Sequence, residues 1–576
     1  LYGHLALQAA PDGNTYYISP NGNDNNSGAT TNKPWATFNR AWQDLYPGDT
    51  LILMDGVYHQ QIHPNKRNGQ PGSPITIKAQ NDGQAVIDAQ GQFIPVRLGE
   101  AWPGPIGQYF VIEGIVARNS SDSVYEIMDD YNVLRRVSGY DAYTDGNAHV
   151  FDITGSNTLL EDCIAAGSGR KMIMSFQANN NVIRRCFSYW QSWDGRQWHD
   201  AWPWGDGIQI YYGNNNIIEN GISYGPIPFQ SISIIAPSPT NGAVGNKVLG
   251  SVAMGAGMNE DGTVTYWGCT QKPEPCGPQD RPQPTTYTNV RDFDNENQRA
   301  GFHLYGQGEL RDNLFQDVIA LGNAGLGFVY LPDPAGMHPG TSNNVVNRAT
   351  LIDNGLDQPC TFGWPCIGGG LNTDILRWQM NKPGLQITNS FIENIYEGWP
   401  SYPNGSRTTS STNGEGARMN NRYVDGALTS EPLWPWPMES RVQAELGFSL
   451  TDLMMQKLAL NGYFLSTNTG ARTIDPGGVA TFRVDVEPSG AFSLPVSITI
   501  DNPSADLLVE PTTRTVSPPT AFQVRVTDLY TGLPSPPRTY TLRITADGGG
   551  MVKETTVRIT VRAQYSLFIP AVILGQ

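Results

Sequence analysis

The sequence predicts an all-β protein in which a long β-solenoid is followed by an immunoglobulin-like β-sandwich. Short apolar segments recur between residues 107 and 425 at a spacing of roughly 20–30 residues, which is typical of a solenoid. Beyond residue 465 the pattern changes to an alternation of apolar and polar residues, which is typical of half-buried strands. The 63 glycines and 42 prolines among 576 residues favour turns over helices.

The first predicted element is a cap on the open end of the coil. Residues 16–24 predict a strand and a turn, residues 33–45 contain an amphipathic segment, and residues 47–53 predict a first rung strand. This run resembles the N-terminal cap and first rungs of secreted right-handed parallel β-helix proteins, particularly the pectate lyase and chondroitinase B-like polysaccharide lyases. The resemblance covers residues 14–90 and extends, through the rung pattern, to about residue 425. It implies a right-handed parallel β-helix whose end is capped by a short helix.

The repeating unit is an apolar pair, two polar residues and a small or apolar residue. Its clearest copies are Val133–Val137, Leu159–Cys163, Val182–Cys186 and Ile217–Gly221. The polar pairs alternate in charge between copies, so opposite charges are expected to face each other on adjacent rungs. Cys163 and Cys186 are expected on neighbouring rungs, as buried thiols or as a disulfide.

Asparagine precedes the strands of this repeat. Because asparagine tolerates the left-handed conformation and bonds its own backbone, it suits a tight corner between strands. Stacking of like corners along the coil then predicts a ladder of side-chain amides. The corner residues are Asn132, Asn157, Asn180, Asn215, Asn246 and Asn344.

The C-terminal part completes the domain organisation. An amphipathic segment after residue 439 is expected to pack over the C-terminal end of the coil. The following alternating segments predict at least five strands of the sandwich. The predicted divisions are a tail at 1–13, the capped β-helix with loop insertions at 14–438, a helical connector at 439–464, the sandwich at 465–563, and an apolar strand or tail at 564–576.

Composition limits the partners and the compartment. The formal net charge of −16 argues against nucleic-acid binding, and the sequence has no apolar run long enough for a transmembrane helix. The first ten residues lack a signal-peptide pattern, which we interpret as a leader already removed from a secreted or cell-surface protein. The close pairs Cys269/Cys276 and Cys360/Cys366 predict disulfides that staple loops, with free thiols as the alternative.

One stretch of the solenoid concentrates chemistry-bearing residues. Counting back from the corner asparagines gives each rung a further strand, where Lys171 and Asp206 share one position and His149 lies one residue out of register. The insertion 193–206 is rich in tryptophan, which stacks on sugars, and in aspartate, which serves as acid, base or Ca²⁺ ligand. The candidate catalytic residues are Lys171, Arg196, His199 and Asp206. The candidate substrate-binding residues are Trp193, Trp198, Trp202, Trp204, Arg170, His149 and His303.

The resemblance to the lyases implies β-elimination on a uronate polysaccharide. It implies that Lys171 or Arg196 is the base, and that Asp194, Asp200 and Asp206 are Ca²⁺ ligands. The closely spaced aspartate motif of the calcium-dependent pectate lyases is absent, and so are the motifs of polygalacturonases. Hydrolysis by a pair of carboxylates is the other reaction that a groove of this fold supports.

Two function classes follow from the sequence. The favoured one is an extracellular enzyme, a lyase or a glycosidase, acting on a polysaccharide along a side groove. The alternative is a non-catalytic surface protein, either a carbohydrate-binding adhesin or a subunit of a filament or sheath. In that case the tryptophan-rich insertion packs as a small satellite core, and the apolar segment 565–574 joins copies of the chain by strand addition.

Overall fold

A computed structural model gives the fold of the chain. The residues that the structure describes are 13–64, 66–100, 106–143, 146–192, 205–225, 230–256, 266–268, 283–285, 300–323, 325–332, 338–352, 354, 375–376, 384–392, 395–397, 406–408, 417, 421–434, 436–459, 463–468, 471–488, 494–532, 535–548 and 551–563. By its contacts the chain divides into two compact units, 1–417 with 421–450, and 418–420 with 451–576.

Three long parallel sheets form the walls of a solenoid in the first unit. The chain visits the sheets in turn, so that each complete rung adds one strand to each sheet. Strands pair in parallel and in register from rung to rung, as Val133 pairs with Leu159 and Leu159 with Val182. The predicted right-handed parallel β-helix is therefore confirmed.

The three walls are named here sheet 1, sheet 2 and sheet 3. Sheet 1 contains Thr15–Ile18, Thr50–Leu53, Ile75–Ala79, Phe110–Glu113, Val133–Arg135, Leu159–Glu161, Val182–Arg184, Ile217–Glu219, Lys247–Leu249, Leu314–Gln316, Asn344–Asn347 and Leu385–Thr388. Sheet 2 contains Gly56–Tyr58, Ala85–Asp88, Val116–Arg118, Ser138–Tyr140, Ile164–Ser168, Phe187–Ser192, Ile222–Tyr224, Val252–Met254, Ile319–Leu321, Thr350–Ile352 and Phe391–Ile392. Sheet 3 contains Val96–Leu98, Tyr125–Ile127, His149–Ile153, Lys171–Phe176, Asp206–Tyr211, Gln230–Ala236, Ala300–Gly306 and Phe328–Pro332.

A short helix, Phe38–Asp44, lies at the N-terminal end of the solenoid, as predicted. The side chain of Thr37 caps it by accepting the backbone N–H of Arg40. Its buried face contributes Phe38, Ala41 and Trp42 to the solenoid core. The helix thereby shields apolar side chains that the first rung would otherwise expose.

Asparagines occupy two adjacent columns at the corner before sheet 1. Asn157, Asn180 and Asn215 have φ of 57°, 59° and 58°, which is the left-handed conformation predicted for the corner. The residues after Asn180 and Asn215 belong to a buried asparagine ladder, in which each side-chain oxygen accepts a backbone N–H from the preceding rung. The ladder contains Asn132, Asn181, Asn216, Asn246, Asn313 and Asn344. The prediction was thus wrong in placing Asn132, Asn246 and Asn344 at the left-handed corner.

The predicted charge pairing between rungs is present on the outer side of sheet 1. Arg135 lies 2.7 Å from Glu161, and Arg185 lies 2.7 Å from Asp162. A hairpin of Asn421–Val424 and Ala427–Pro432 packs on this side, and Glu219 accepts a backbone N–H from its turn. These contacts are structural, as the sequence indicated.

The two cysteines on neighbouring rungs are free, buried thiols. Cys163 and Cys186 both lie in the solenoid core, and burial raises the pKa of Cys163 well above its ordinary value. Of the two alternatives that the sequence left open, the structure has the ladder of thiols. The four cysteines of the predicted loop disulfides, Cys269, Cys276, Cys360 and Cys366, lie outside the described residues.

Helices Glu439–Leu446 and Leu450–Ala459 follow the hairpin. The first packs on the outer side of sheet 2, where Arg441 donates to the carbonyl oxygens of Ile115 and Arg136. The expectation that this segment covers the C-terminal end of the coil is therefore wrong for this helix. An amphipathic pattern predicts an apolar face but does not specify which surface that face covers.

Four smaller groups of strands accompany the walls. They are Gly242–Val244 with Glu309–Arg311, Tyr266–Gly268 with Gln283–Thr285, Ile375–Leu376 with Ile395–Glu397 and Ser406–Thr408, and the hairpin already described.

The second unit is a sandwich of two sheets with its own core, as predicted. One sheet contains Tyr463–Thr467, Val479–Pro488, Thr520–Asp528 and Leu507–Glu510. The other contains Ala471–Ile474, Met551–Val561, Arg538–Gly548, Val496–Ile500 and Thr513–Val516. Alternate residues such as Val524 and Val526 face the core, while Arg525 between them is exposed. The predicted apolar tail begins beyond the described residues.

Candidate active site

The outer side of sheet 3 carries a row of polar residues at one rung position. His149 pairs with Lys171, Lys171 with Asp206, and Asp206 with Gln230 on four consecutive rungs. The sequence correctly placed Lys171 and Asp206 at one position. It was wrong about His149, which is in register with Lys171 and not one residue away.

A shorter connection explains the error, because Asn157 follows Ile153 by four residues whereas Asn180 follows the register partner Ser175 by five. A local irregularity turns the row outward. Val150 and Phe151 are consecutive, yet both lie in the solenoid core, so the two-residue alternation is broken and His149 and Asp152 both face outward. On the Asp206 rung the equivalent inward position is Gly207. A Cβ there would lie 2.0 Å from the Ser223 hydroxyl, so only glycine fits.

Lys171 and Asp206 form the centre of a hydrogen-bonded group. The ammonium of Lys171 donates to the Gln209 side-chain oxygen and lies 3.5 Å from Asp206 Oδ2. The Gln209 amide donates to Asp206 Oδ2 at 2.8 Å and to the Ser233 hydroxyl at 2.9 Å. Lys171 Nζ also lies 4.5 Å from the centre of the Tyr211 ring. Gln209 thus holds the ammonium and the carboxylate in one fixed arrangement.

Burial shifts both members of the pair towards neutrality. The side chains of Lys171 and Asp206 are only 4% and 1% exposed. Burial lowers the pKa of Lys171, and the Arg170 charge lowers it further, while Asp206 opposes the shift. Burial also raises the pKa of Asp206 against the opposing effect of Lys171. A lysine whose pKa is lowered becomes a usable general base at a lower pH than an ordinary lysine.

Two further carboxylates lie on the rungs before Lys171. Asp152 pairs in register with Glu126, and the two face outward together. Burial, with added repulsion from Glu126, raises the pKa of Asp152 to about 7. Burial also raises the pKa of Glu126, which makes an ion pair of 3.0 Å with Arg97. Lys171 therefore has titratable carboxylates on both sides along the solenoid axis.

The two histidines of the sequence prediction are on the same face. His149 is fully buried, and burial lowers its pKa well below the ordinary value, with Lys171 adding to the effect. His303 lies three rungs beyond Lys171, in the outward column that contains Gln209 and Ser233, and burial lowers its pKa to about 3. Both imidazoles are therefore neutral at physiological pH.

Several polar atoms of this face have no hydrogen-bond partner within the described part of the chain. They include Nδ1 of His149, Oδ1 of Asp152 and Oδ1 of Asp206. Buried polar atoms are normally paired, so a water molecule or a ligand is the expected partner of these atoms. Asp206 accordingly uses Oδ2 to hold Lys171 and Gln209 and keeps Oδ1 available.

The remaining predicted site residues lie outside the described part of the chain. They are Trp193, Asp194, Arg196, Trp198, His199, Asp200, Trp202 and Trp204. Their assignments, including the Ca²⁺ ligands Asp194 and Asp200, stay predictions. Among the described residues there is no group of three or more histidine, cysteine, aspartate or glutamate side chains that could hold a metal ion. Oδ1 of Asp206 fits a contribution of one oxygen ligand to such a site.

Sequence reasoning missed Gln209, Asp152, Glu126 and Tyr211. Gln209 follows Asp206 by three residues and has no feature of its own that separates it from a solvent-facing glutamine. Asp152 and Glu126 become a pair only through the register between strands. Extending the register by one strand, from His149–Ile153 back to Tyr125–Ile127, could have found Asp152 and Glu126.

Known proteins match parts of this chain. The Chondroitinase B family model matches residues 33–154. Pectate lyase L of Dickeya dadantii is 36% identical over 123 residues, which are 19% of this chain and 28% of that protein. The chain is thus similar in part to the pectate lyase and chondroitinase B-like polysaccharide lyases. The resemblance seen in the sequence is confirmed.

Two other matches cover different shares of the chain. Lacto-N-biosidase of Bifidobacterium longum subsp. longum is 38% identical over 98 residues, which are 16% of this chain and 6% of that protein. The structure titled as the complex of XylC with xylose has a TM-score of 0.31 and 11% identity over 58% of this chain and 68% of that one. The matched parts span 28% of the length of pectate lyase L and 6% of the length of lacto-N-biosidase. The family match ends at residue 154, before Lys171 and Asp206.

The structure also bears on membrane insertion. Among the described residues, no helix is long and apolar enough to cross a membrane.

Proposed function

We propose that this chain is an extracellular polysaccharide lyase that cleaves a uronate glycan on the outer side of sheet 3. The observation that carries the proposal is the buried Lys171–Asp206 pair, held by Gln209 beside unpartnered polar atoms. The similarity of residues 33–154 to polysaccharide lyases supports the reaction class. Secretion is part of the proposal, because the chain resembles secreted β-helix polysaccharide lyases.

Lys171 is the proposed base. Its neutral amine takes the proton from C5 of the uronate, and the electron pair of that C–H bond forms the C4–C5 double bond. The bond from C4 to the glycosidic oxygen breaks, and the leaving oxygen takes up a proton from solvent water. Asp206 and Gln209 position the amine, and the neighbouring Arg170 favours binding of the uronate carboxylate.

The proposal includes a calcium ion, which Asp194, Asp200 and Asp206 would hold as its ligands. Its chemistry would be to neutralise the uronate carboxylate and so acidify the C5 proton. Dialysis of the protein against a chelator, followed by addition of Ca²⁺ or Mg²⁺, tests this part separately. Loss of turnover that only Ca²⁺ restores is expected, and turnover unaffected by chelation would contradict the calcium site.

Glycoside hydrolysis is the second candidate, and one observation favours it. Asp152 and Asp206 are two carboxylates with raised pKa on either side of Lys171. A protonated carboxylic acid next to an ionised carboxylate is the arrangement that glycosidases use. This reaction gives saturated products with new reducing ends and no double bond.

Absorbance of the unsaturated product tests the lyase directly. Uronate polysaccharides are incubated with the unaltered protein, with Lys171→Met, and with Lys78→Met, which removes a lysine from sheet 1. We expect absorbance to rise with the unaltered protein and with Lys78→Met, and to be abolished by Lys171→Met. Turnover that survives Lys171→Met would contradict the proposed base.

A further inference from the structure

The hairpin on the outer side of sheet 1 lies across several rungs at once. It consists of Asn421–Val424 and Ala427–Pro432 and is called the strap here. Asp425 and Gly426 form its two-residue turn with φ of 52° and 78°. Two positive φ values are what a type I′ turn requires, and an Asp-Gly pair favours that turn. The turn sequence therefore specifies the hairpin locally.

The turn of the strap is bound to two consecutive rungs. The carboxylate of Glu219, which is fully buried, accepts the backbone N–H of Asp425 at 3.1 Å and that of Gly426 at 2.9 Å. Arg184, one rung earlier, donates to the side chains of both Glu219 and Asp425. The turn thus fastens the rung of Arg184 to the rung of Glu219.

The first strand of the strap extends the contacts to a later rung. The backbone N–H of Tyr423 donates to Asn220 Oδ1, and Asn220 Nδ2 donates to the carbonyl oxygen of Asn421, each at 2.7 Å. The Tyr423 hydroxyl donates to the carboxylate of Asp317 and accepts the side-chain amide of Gln316 at 3.0 Å. Tyr423 therefore bonds to two rungs that are not neighbours in the stack.

The rung between them is shaped to admit the strap. It carries Leu249, which packs with Ile217 and Tyr423 in a small apolar cluster. Gly250 follows, and a Cβ there would lie 2.9 Å from the Tyr423 ring and 3.1 Å from the Asn421 carbonyl oxygen. Glycine therefore allows the strap to approach this closely. In all, the strap contacts four consecutive rungs.

Contacts of this kind change how a solenoid opens. Each rung of a solenoid normally contacts only its neighbours, so its stability is approximately a sum over adjacent rungs and parts of the stack open separately. An element that binds four rungs adds contacts between rungs that are not adjacent. A rung of this group can then leave the stack only by breaking its bonds to the strap.

The rungs bound by the strap are next to the candidate site along the chain. The strand Lys171–Phe176 is followed directly by Val182–Arg184 in sheet 1, and Asp206–Tyr211 is separated from Ile217–Glu219 only by the corner. None of the described contacts of the strap is with Lys171 or Asp206. The strap therefore acts on the spacing of these two residues only through the stacking of their rungs.

We propose that the strap is a conformational clamp. It couples the four rungs from Arg184 to Asp317, so that these rungs open as one unit and only when the strap is released. The inference goes beyond the proposed lyase reaction and does not depend on it, because it concerns how the solenoid opens in the absence of substrate.

Native-state hydrogen exchange followed by mass spectrometry tests the clamp on the full chain. The unaltered protein is compared with Tyr423→Ala, Tyr423→Phe and Leu428→Ala. Tyr423→Phe keeps the ring and removes only the hydroxyl bonds, so it remains informative if Tyr423→Ala does not fold. Leu428 lies on the second strand of the same hairpin with 53% of its surface exposed, and it serves as the matched control.

We expect faster exchange in strands that the strap does not touch. In Tyr423→Ala, amides of Lys171–Phe176 and Asp206–Tyr211 should exchange about a hundredfold faster or more, because a large buried side chain is lost. In Tyr423→Phe the same amides should exchange about tenfold faster. Amides of the earlier strands Ile75–Ala79 and Phe110–Glu113 should keep their rates, and Leu428→Ala should change none.

Three results would overturn the clamp. Faster exchange confined to the strap would mean that it opens without the rungs beneath it. Equal acceleration in all rungs, including Ile75–Ala79, would mean that the solenoid opens as one unit whether or not the strap is bound. Unchanged exchange in both Tyr423 variants would mean that the strap does not hold the rungs together.

Discussion

Asp152 gives a prediction that can be measured without a substrate. Its pKa is raised from 3.8 to about 7, chiefly by burial and secondarily by Glu126 and Asp122. In the unfolded chain the carboxyl ionises near 3.8, so between these values the folded state binds more protons. The stability of the solenoid therefore falls as the pH rises through this window, and the full penalty is present above about pH 7.

The replacement Asp152→Asn keeps the shape and removes the ionisation. A shift of about three pKa units corresponds to ~4 kcal/mol, at 1.36 kcal/mol per unit, as an upper limit. Because the residue is half-buried, about 1–3 kcal/mol of added stability is expected at pH 8, and little at pH 4. The other titrating groups are common to both proteins, so their contributions largely cancel in the difference.

Thermal unfolding followed by circular dichroism is the assay, with both proteins scanned at pH 4 and pH 8. The expected result is a midpoint higher in Asp152→Asn by on the order of 2–5 °C at pH 8, and nearly equal midpoints at pH 4. Asp475→Asn, at an exposed carboxylate, is the matched control and should shift neither midpoint. A midpoint that falls at pH 8, or a difference independent of pH, would refute the reasoning.

Three further predictions concern the pair, the ladder and the charged column. Asp206→Asn removes the charge that raises the pKa of Lys171, so the acid limb of the pH–rate profile should move to lower pH. An acid limb that stays in place or moves to higher pH would contradict the pairing of Lys171 with Asp206. Asn246→Ala leaves buried backbone groups without partners. The free energy of unfolding in urea should fall by about 1–3 kcal/mol for each group. An unchanged free energy would argue against the ladder. Arg184→Met leaves Glu219 buried without its cation and should cost about 3–5 kcal/mol in urea unfolding, and a neutral effect would contradict this.

Much of the fold was predictable because its signals are local in sequence. The capping helix follows from an amphipathic segment with Thr37 at its start, and the rungs follow from repeated apolar pairs such as Leu159–Leu160. The left-handed corners at Asn157 and Asn180 follow from the conformational preference of asparagine. These features need no knowledge of which distant residues touch.

The site was only half predictable because it depends on register. Counting back along the rungs brought Lys171 and Asp206 together. His149 was displaced by one position because the connection from its strand to the corner asparagine is one residue shorter. No local pattern distinguishes Gln209 from a solvated glutamine, although its amide holds the pair together. Such contacts become visible only when strands far apart in the sequence are stacked.

The central claim is that Lys171 performs β-elimination, and mass spectrometry of the products tests it most directly. The unaltered protein is incubated with uronate polysaccharides, and the masses of the released oligosaccharides are measured. The account predicts products with an unsaturated end, one water lighter than hydrolysis products, which Lys171→Met does not form. Saturated products of full hydrolytic mass, or unsaturated products that persist in Lys171→Met, would contradict it.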